Sequence, residues 1–372
     1  MKPQDKLKVL MLGWDYLPAL NGGLGVATYE LKERLAGKVD LDFVVPHMNP
    51  STLDLLTYAY GGAEKRASSE DLQNWKEDVE AYIEQVLDMT EGKSYDVIHA
   101  HDWLTFIPAL ELQELMDTPF VAHVHATSVD RNGKEERGWD YEIEKEAFEK
   151  ADQIVTVSEY ERNLIEEAYD IDADKIQVTY NAITDVKPFR RKKGFQDPLV
   201  VFAGRLTDQK GPFAFLDAAS ELIRKGYPFR FVIAGEGPLA EELMILVAER
   251  GYADRIMFTG FLPQPELFEL FAMGDYFVMP SRSEPFGIVA LEAARFGLPC
   301  LISRNSGVLE VLTEAYQIEP DNSQAIENGL LELYHDEGLS SRMGRSMAEA
   351  AASCNWEAIA EQWVDNYQSL QD

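Results

Sequence analysis

The feature that most constrains this chain is a two-part unit that recurs along its length. A short apolar run ends in a polar or glycine-bearing turn and leads into a longer stretch with helical patterning. Lys8–Gly13, Leu41–Val45, Tyr95–His99, Phe120–His125, Gln153–Ser158 and Lys175–Asn181 are such runs. Runs that are apolar at nearly every position, rather than at alternate ones, belong to strands buried on both faces. The first intervening stretch places Val26, Leu31 and Leu35 on one helical face and stops at Gly37, as a helix with a glycine terminator does. Further helices are expected over Glu70–Met89, Leu110–Leu115 and Tyr141–Lys150, with another starting at Ser158. Trp14–Leu20, residues 49–70 and Ala126–Gly138 read as loops. Alternating strand and helix dictates a parallel sheet wrapped on both faces.

The pattern pauses at Lys187–Asp197, a basic and then polar stretch bounded by Pro188 and Pro198, which reads as a linker. It restarts with strands at Leu199–Ala203, Phe229–Ala234, Arg255–Thr259, Tyr276–Met279 and Cys300–Ser303, and helices at Pro212–Lys225 and Glu266–Met273. A chain of 372 residues exceeds one typical core, so two doubly wound α/β domains are expected, over residues 1–186 and 187–353. The remaining segment, residues 354–372, carries Trp356, Ile359, Trp363 and Tyr367 at helical spacing. Such an amphipathic helix needs a surface to bury against.

Charge and composition exclude several partners. The formal net charge is −31, which repels a nucleic-acid backbone and an anionic membrane surface. The acid is spread along helices, as at Glu142, Glu144, Glu146 and Glu149, or Glu241, Glu242 and Glu249. That pattern fits a well-solvated surface first, and as a sharper reading an adaptation to high salt. An anionic substrate would then need a local basic pocket. Cys300 and Cys354 make no disulfide framework and suit a reducing compartment. Met1–Lys8 is polar and no apolar run reaches transmembrane length, so no signal peptide is expected and a cytoplasmic location is. Oligomeric state is left open.

In open α/β sheets, ligands collect at the carboxyl ends of the strands. The polar residues of interest lie there. Pro280–Glu292, P-S-R-S-E-P-F-G-I-V-A-L-E, joins a buried strand to a helix start. Free N–H groups at Phe286–Ile288, with the helix dipole behind them, form a candidate phosphate site at the Pro285–Ile288 helix start. Glu284 and Glu292 bracket it, and the segment also reads as an ordinary βα connection with two solvated carboxylates. Arg205 and Lys210, between Gly204 and Gly211, place positive charge in an acidic chain and could neutralise a diphosphate. N-G-G-L-G at Asn21–Gly25 would let backbone approach a phosphate or sugar. His99, His101, His123 and His125 occur as H-x-H twice, at strand ends. They could converge on a metal, but no cysteine or carboxylate completes a ligand set. The other readings are core residues at His99 and His123, and one histidine at the mouth meeting a substrate hydroxyl.

Taken together, N-G-G-L-G at 21–25, D-V-I-H-A-H-D-W at 96–103, H-V-H-A-T at 123–127, T-V-S-E-Y at 156–160, G-R-L-T-D-Q-K-G at 204–211, G-E-G-P at 235–238 and S-E-P-F-G-I-V-A-L-E at 283–292 resemble the retaining GT-B glycosyltransferases of family 4, and among them the glycogen and starch synthase-like members. The resemblance covers nearly the whole chain. It implies two Rossmann-like domains facing across a cleft, with the C-terminal helix crossing back onto the N-terminal domain. It implies an N-terminal acceptor side and a C-terminal nucleotide-sugar side. By position, Arg205 and Lys210 would bind the diphosphate, helped by backbone at Phe286, Gly287 and Ile288. Glu284 would hold donor-sugar hydroxyls and Glu292 the ribose. His125 would approach the reacting end of the sugar, and Gly22 and Gly23 would lie against phosphate or sugar. Gly204, Ser283 and the boundary residue Asn181 complete the implied donor set. One departure is that glycogen synthases of bacteria usually carry lysine where Asn21 stands, which leaves ADP-glucose as donor unassigned.

The activity so implied is transfer of a hexosyl group, glucosyl foremost, from a UDP-, ADP- or GDP-sugar to a hydroxyl of a saccharide or small molecule, with retention. No cofactor or metal is expected if Arg205 and Lys210 supply the charge. A nucleotide-sugar epimerase or hydrolase, or a non-catalytic sugar-nucleotide or polysaccharide binder, are the alternatives on the same scaffold.

Overall fold

The computed structural model describes residues 6–14, 22–46, 69–133, 135 and 137–371. They fall into two compact units. Unit 1 joins the chain up to Ala182 with Asn355 onward, and unit 2 is the continuous stretch Ile183–Cys354.

In unit 1, β1 (Lys8–Leu12), β2 (Asp40–Val44), β3 (Val97–His101), β4 (Phe120–Val124), β5 (Gln153–Thr156) and β6 (Ile176–Val178) form one sheet, in the order β2-β1-β3-β4-β5-β6. All its pairings are parallel. Every residue of β3, β4 and β5 is buried, which is why these strands read as continuous apolar runs. Around them lie α1 (Gly23–Leu35), α2 (Ser69–Thr90), α3 (Trp103–Met116), α4 (Ser128–Asn132), α5 (Trp139–Lys150) and α6 (Glu159–Tyr169). Phe106 of α3 meets Phe120 and Phe148 edge to face, each at 6.0 Å between centroids. Each fully buried ring contributes about 1.5–3 kcal/mol of transfer free energy.

Unit 2 repeats the plan with β7 (Leu199–Ala203), β8 (Arg230–Ala234), β9 (Ile256–Gly260), β10 (Tyr276–Met279), β11 (Cys300–Ser303) and β12 (Tyr316–Ile318), in the order β12-β11-β10-β7-β8-β9. Its helices are α7 (Pro212–Arg224), α8 (Ala240–Glu249), α9 (Gln264–Met273), α10 (Ile288–Arg295), α11 (Ser323–His335) and α12 (Glu337–Ser353). The last helix of the chain, α13 (Trp356–Ser369), belongs to unit 1. Asn355 caps it by accepting the Ala358 N–H at 2.8 Å, and Trp356, Ala360, Trp363 and Tyr367 form its buried face.

These strand orders fix where ligands can gather. In unit 1 the order reverses between β1 and β3, and in unit 2 between β7 and β10. Loops leaving two such strands diverge to opposite faces and open a crevice at the carboxyl edge. In unit 2 the diverging loops are Gly204–Gly211 and Pro280–Gly287.

Several elements differ from the sequence expectation. The third strand lies at Val97–His101 instead of Tyr95–His99, because both histidines are buried strand residues. Gly23 and Gly25 lie in the first turn of α1 and not in a loop. The stretch Ala126–Gly138 contains a helix, α4, with a capping box between Thr127 and Asp130. β12, α11 and α12 were not anticipated. Asn21, Trp14–Leu20 beyond Trp14, and most of the loop expected over residues 49–70 lie outside the described residues. No helix among the described residues is long and apolar enough to cross a membrane.

Candidate active site

The crest of unit 2 is tied together by backbone. Gly211 has φ +66, and a Cβ there would lie 2.5 Å from the Pro280 carbonyl oxygen. Gly235 has φ +141, and its added Cβ would fall 1.9 Å from the carbonyl oxygen of Gly204. The G-E-G-P glycines therefore serve close packing of one crest loop on another. Arg282 N–H donates to Gln209 O at 2.7 Å, and Gln209 Nε2 donates to Ser283 O at 3.1 Å. The loop after β7 and the loop after β10 are thus one framework.

On that framework Lys210 Nζ donates to both oxygens of Glu284, at 2.9 and 2.8 Å. Ser281 Oγ donates to Glu284 Oε2 at 3.0 Å. Glu284 is buried, and its backbone is fixed by bonds to Asn305 O (2.9 Å) and from Gly307 N–H (3.0 Å). Phe286 O accepts from Val308 N–H at 2.8 Å. Gly287, at φ +102, turns the chain into α10, whose first residue is Ile288. The first N–H groups of that helix have no helical carbonyl to bond and carry partial positive charge. Arg205 stands half-buried in the β7 loop. Lys210, a helix start and a buried carboxylate therefore meet at the switch point of unit 2, with Arg205 in the same β7 loop.

Glu292 lies one turn into α10 and is buried. Burial pushes its carboxyl up to about 7, while the Gln264 amide, donating to Oε1 at 2.8 Å, pulls the other way. Gln264 carried no motif in the sequence. Its pairing depends on the packing of α9 against α10, which no local pattern announces.

In unit 1 the four crest histidines converge. His101 Nδ1 and His125 Nε2 share a hydrogen bond of 2.9 Å, and His99 Nε2 and His123 Nδ1 one of 3.1 Å. His99 Nδ1 bonds Tyr367 OH of α13 at 2.6 Å, and Trp363 stacks on His99 at 4.2 Å. Burial holds all four imidazoles below their usual range, His125 at about 3. Ring nitrogens of His99, His101 and His123 lie within 4.8 Å of one another. Yet His99 and His101 stack face to face at 4.3 Å between centroids, whereas metal ligands present ring edges. His101 Nε2 and His123 Nε2 have no partner among the described residues.

Asp102 received little weight in the sequence. Its backbone, at φ 60 and ψ 166, occupies a region almost reserved for glycine. Its carboxylate accepts the backbone N–H groups of His125 at 2.6 Å and Ala126 at 3.4 Å, and burial lifts it to about 7. The strained residue thereby anchors the turn bearing His125. Below, Glu144 accepts the Ser128 N–H and pairs with Arg131 at 2.9 Å, which builds α4 onto α5. Gly22 sits at the N-terminus of α1 with φ +121 and no atom of the described residues within 4 Å of an added Cβ, Gly23 follows in the helix, and Asn181 is buried at the end of unit 1's main segment.

Comparison with known proteins bears on both units. A family model described as "Glycosyltransferase Family 4" matches residues 21–186, and one described as "Glycosyl transferases group 1" matches residues 185–350. An uncharacterized glycosyltransferase of Methanocaldococcus jannaschii is 28% identical, over 97% of this chain and 98% of its own. Glycogen synthase of Mycobacterium tuberculosis is 27% identical, over 95% and 92%. A D-inositol 3-phosphate glycosyltransferase of Corynebacterium urealyticum is 30% identical, over 78% and 76%. Among solved structures, sucrose-phosphate synthase from Thermosynechococcus elongatus superposes with a TM-score of 0.81 at 19% identity, covering 97% of this chain and 98% of that one. Anabaena HepE in complex with UDP-glucose gives 0.77 at 16% identity, covering 98% and 100%. The catalytic domain of Arabidopsis thaliana starch synthase IV, bound to ADP and acarbose, gives 0.75 at 15%, covering 99% and 100%.

Proposed function

This chain belongs to the GT-B glycosyltransferases of family 4, and on that footing we propose that it moves a hexosyl group, glucosyl foremost, from a nucleoside diphosphate sugar to an acceptor hydroxyl with retention of configuration. The observation that carries the reading is the Lys210–Glu284 pair at the switch point of unit 2, beside the start of α10. Glycogen synthase among the relatives, and the UDP-glucose complex among the structural neighbours, support glucosyl as the group moved.

In this reading Arg205 and Lys210 neutralise the diphosphate, and the amides at Phe286–Ile288 take a phosphate oxygen. Without donor, Lys210 is held by Glu284. A bound diphosphate draws the ammonium toward itself and releases carboxylate lone pairs for hydroxyls of the hexose. Gly204 lets the loop after β8 pack close against it, Ser283 ties the loop after β10 to Gln209, Glu292 takes the ribose, and Gly22, Gly23 and Asn181 belong to the donor set. His125, neutral through burial, offers Nδ1 to a sugar hydroxyl as a hydrogen-bonding group rather than as an acid. The bond from the anomeric carbon to the leaving phosphate oxygen breaks, the bond to the acceptor oxygen forms on the same face, and the acceptor proton passes to the leaving phosphate. Stabilising the departing charge is the main task, and Arg205 with the redirected Lys210 would do it without a metal. The acceptor is a saccharide or small molecule.

Incubation with UDP-, ADP- and GDP-glucose and a panel of acceptors, with product analysis, tests the reading. A retained-configuration glycoside, formed equally in the presence of a chelator, is the expected product. Free glucose alone, an epimerised donor, or binding without turnover would each replace it.

A further inference from the structure

Gln264 is the first residue of α9, and its amide nitrogen serves two acceptors. It donates to Glu292 Oε1 at 2.8 Å and to Thr184 Oγ1 at 3.3 Å. The amide has two hydrogens and both are used, so a flip of the side chain would break both bonds. Thr184 lies in the short segment that opens unit 2, just after the boundary at Ala182. Glu292 Oε2, by contrast, has no hydrogen-bond partner among the described residues.

We infer that Gln264 is a positioning residue for the ribose carboxylate: it holds Glu292 by one oxygen, presents the other to a ribose hydroxyl, and is itself locked by Thr184. This rests on the reading of Glu292 as the group that takes the ribose. The chemistry favours a hydroxyl donor there. A buried carboxylate with one free oxygen, and no cation paired to it among the described residues, repels an anion and complements an O–H. Burial alone would favour the neutral acid, which could still donate but would accept weakly. The Gln264 N–H bonds the ionised form and keeps it available near neutral pH. Gln264 thus acts on the donor through Glu292.

Titration calorimetry of UDP and ADP into the full chain between about pH 6 and 8 spans the Glu292 transition and tests the inference. In the unaltered chain, affinity should fall as pH drops through the Glu292 value. Gln264→Leu should weaken binding about tenfold at neutral pH and move the midpoint of that fall upward. Thr184→Val, which deletes one acceptor while keeping the shape, should move the midpoint the same way by less. It carries the same test should Gln264→Leu fail to fold. In Glu292→Gln, the pH step should vanish and binding should be weak throughout. If Glu292→Gln binds both nucleotides as tightly as the unaltered chain, the ribose reading falls and takes the inference with it. If Glu292→Gln weakens binding while the Gln264 and Thr184 variants leave the midpoint in place, the inference alone is overturned, even where affinity drops uniformly.

Discussion

At the scale of single residues, the chemistry rests on charges that are paired before any substrate arrives. Lys210 and Glu284 are bound to each other by two hydrogen bonds on a crest closed by glycines. In the proposed reaction Lys210→Ala would remove a phosphate ligand, and Glu284→Ala the hydroxyl acceptor. Each should lower kcat by about 10²–10³-fold, the scale of losing a preorganised electrostatic group. Far-UV dichroism should stay native, and near-normal rates in both variants would remove this pair from the site. Such residues were legible in the sequence because they sit in short motifs with fixed spacing, as in G-R-L-T-D-Q-K-G. Asp102 and Gln264 were not legible in the same way. The strain at Asp102 is a backbone conformation, and the Gln264–Glu292 bond joins two helices, so neither leaves a local trace.

At the scale of elements, strands buried on both faces were readable and their ends were not. β3 was displaced by two residues because His99 and His101 look like a polar strand end, while in the fold their hydrogen bonds to Tyr367 and His125 let them be buried. α4 was hidden by the charges of its loop, of which Arg131 pairs with Glu144 and Asp130 accepts the Thr127 N–H. Burial of the imidazoles has a signed consequence. Their folded pKa lies below the ordinary 6.5, so each contributes stability that is complete above that value and is lost as pH falls below it. Asp102, Glu144 and Glu161 are raised by burial. Their contribution is complete below the ordinary carboxyl range and is lost as pH rises through their folded values, so the two sets oppose each other in mildly acid solution. His123→Leu removes one member of the first set. Its stability relative to the unaltered chain should therefore rise by about 1.4 kcal/mol for each pH unit below 6.5. Urea titrations across that range measure the slope, and a pH-independent difference would mean that His123 is not held neutral. In unit 2, Gly235→Ala forces a methyl to within 1.9 Å of the Gly204 carbonyl oxygen. The crest loops must separate, and a loss of more than about 2 kcal/mol is expected in the same titration.

At the scale of the whole molecule, a net charge of −31 acts on folding and on substrate capture together. Self-repulsion shortens in range as the screening length falls from about 10 Å at 0.1 M salt to about 3 Å at 1 M. The melting temperature should therefore rise across that interval, because isolated surface ion pairs contribute too little to reverse it. A fall measured by differential scanning fluorimetry would show that paired surface charges outweigh the excess acid. The division into units was foreshadowed by the restart of the strand pattern after the linker, since that pattern is set by local sequence. α13 completes unit 1 although it follows unit 2 in the chain, laying Trp363 and Tyr367 against His99. During synthesis the first sheet therefore emerges from the ribosome well before the helix that covers its histidines, while unit 2, continuous in sequence, can close as soon as its own last residue appears. The half made first is finished last, and until then its imidazole face is exposed surface that a chaperone can recognise.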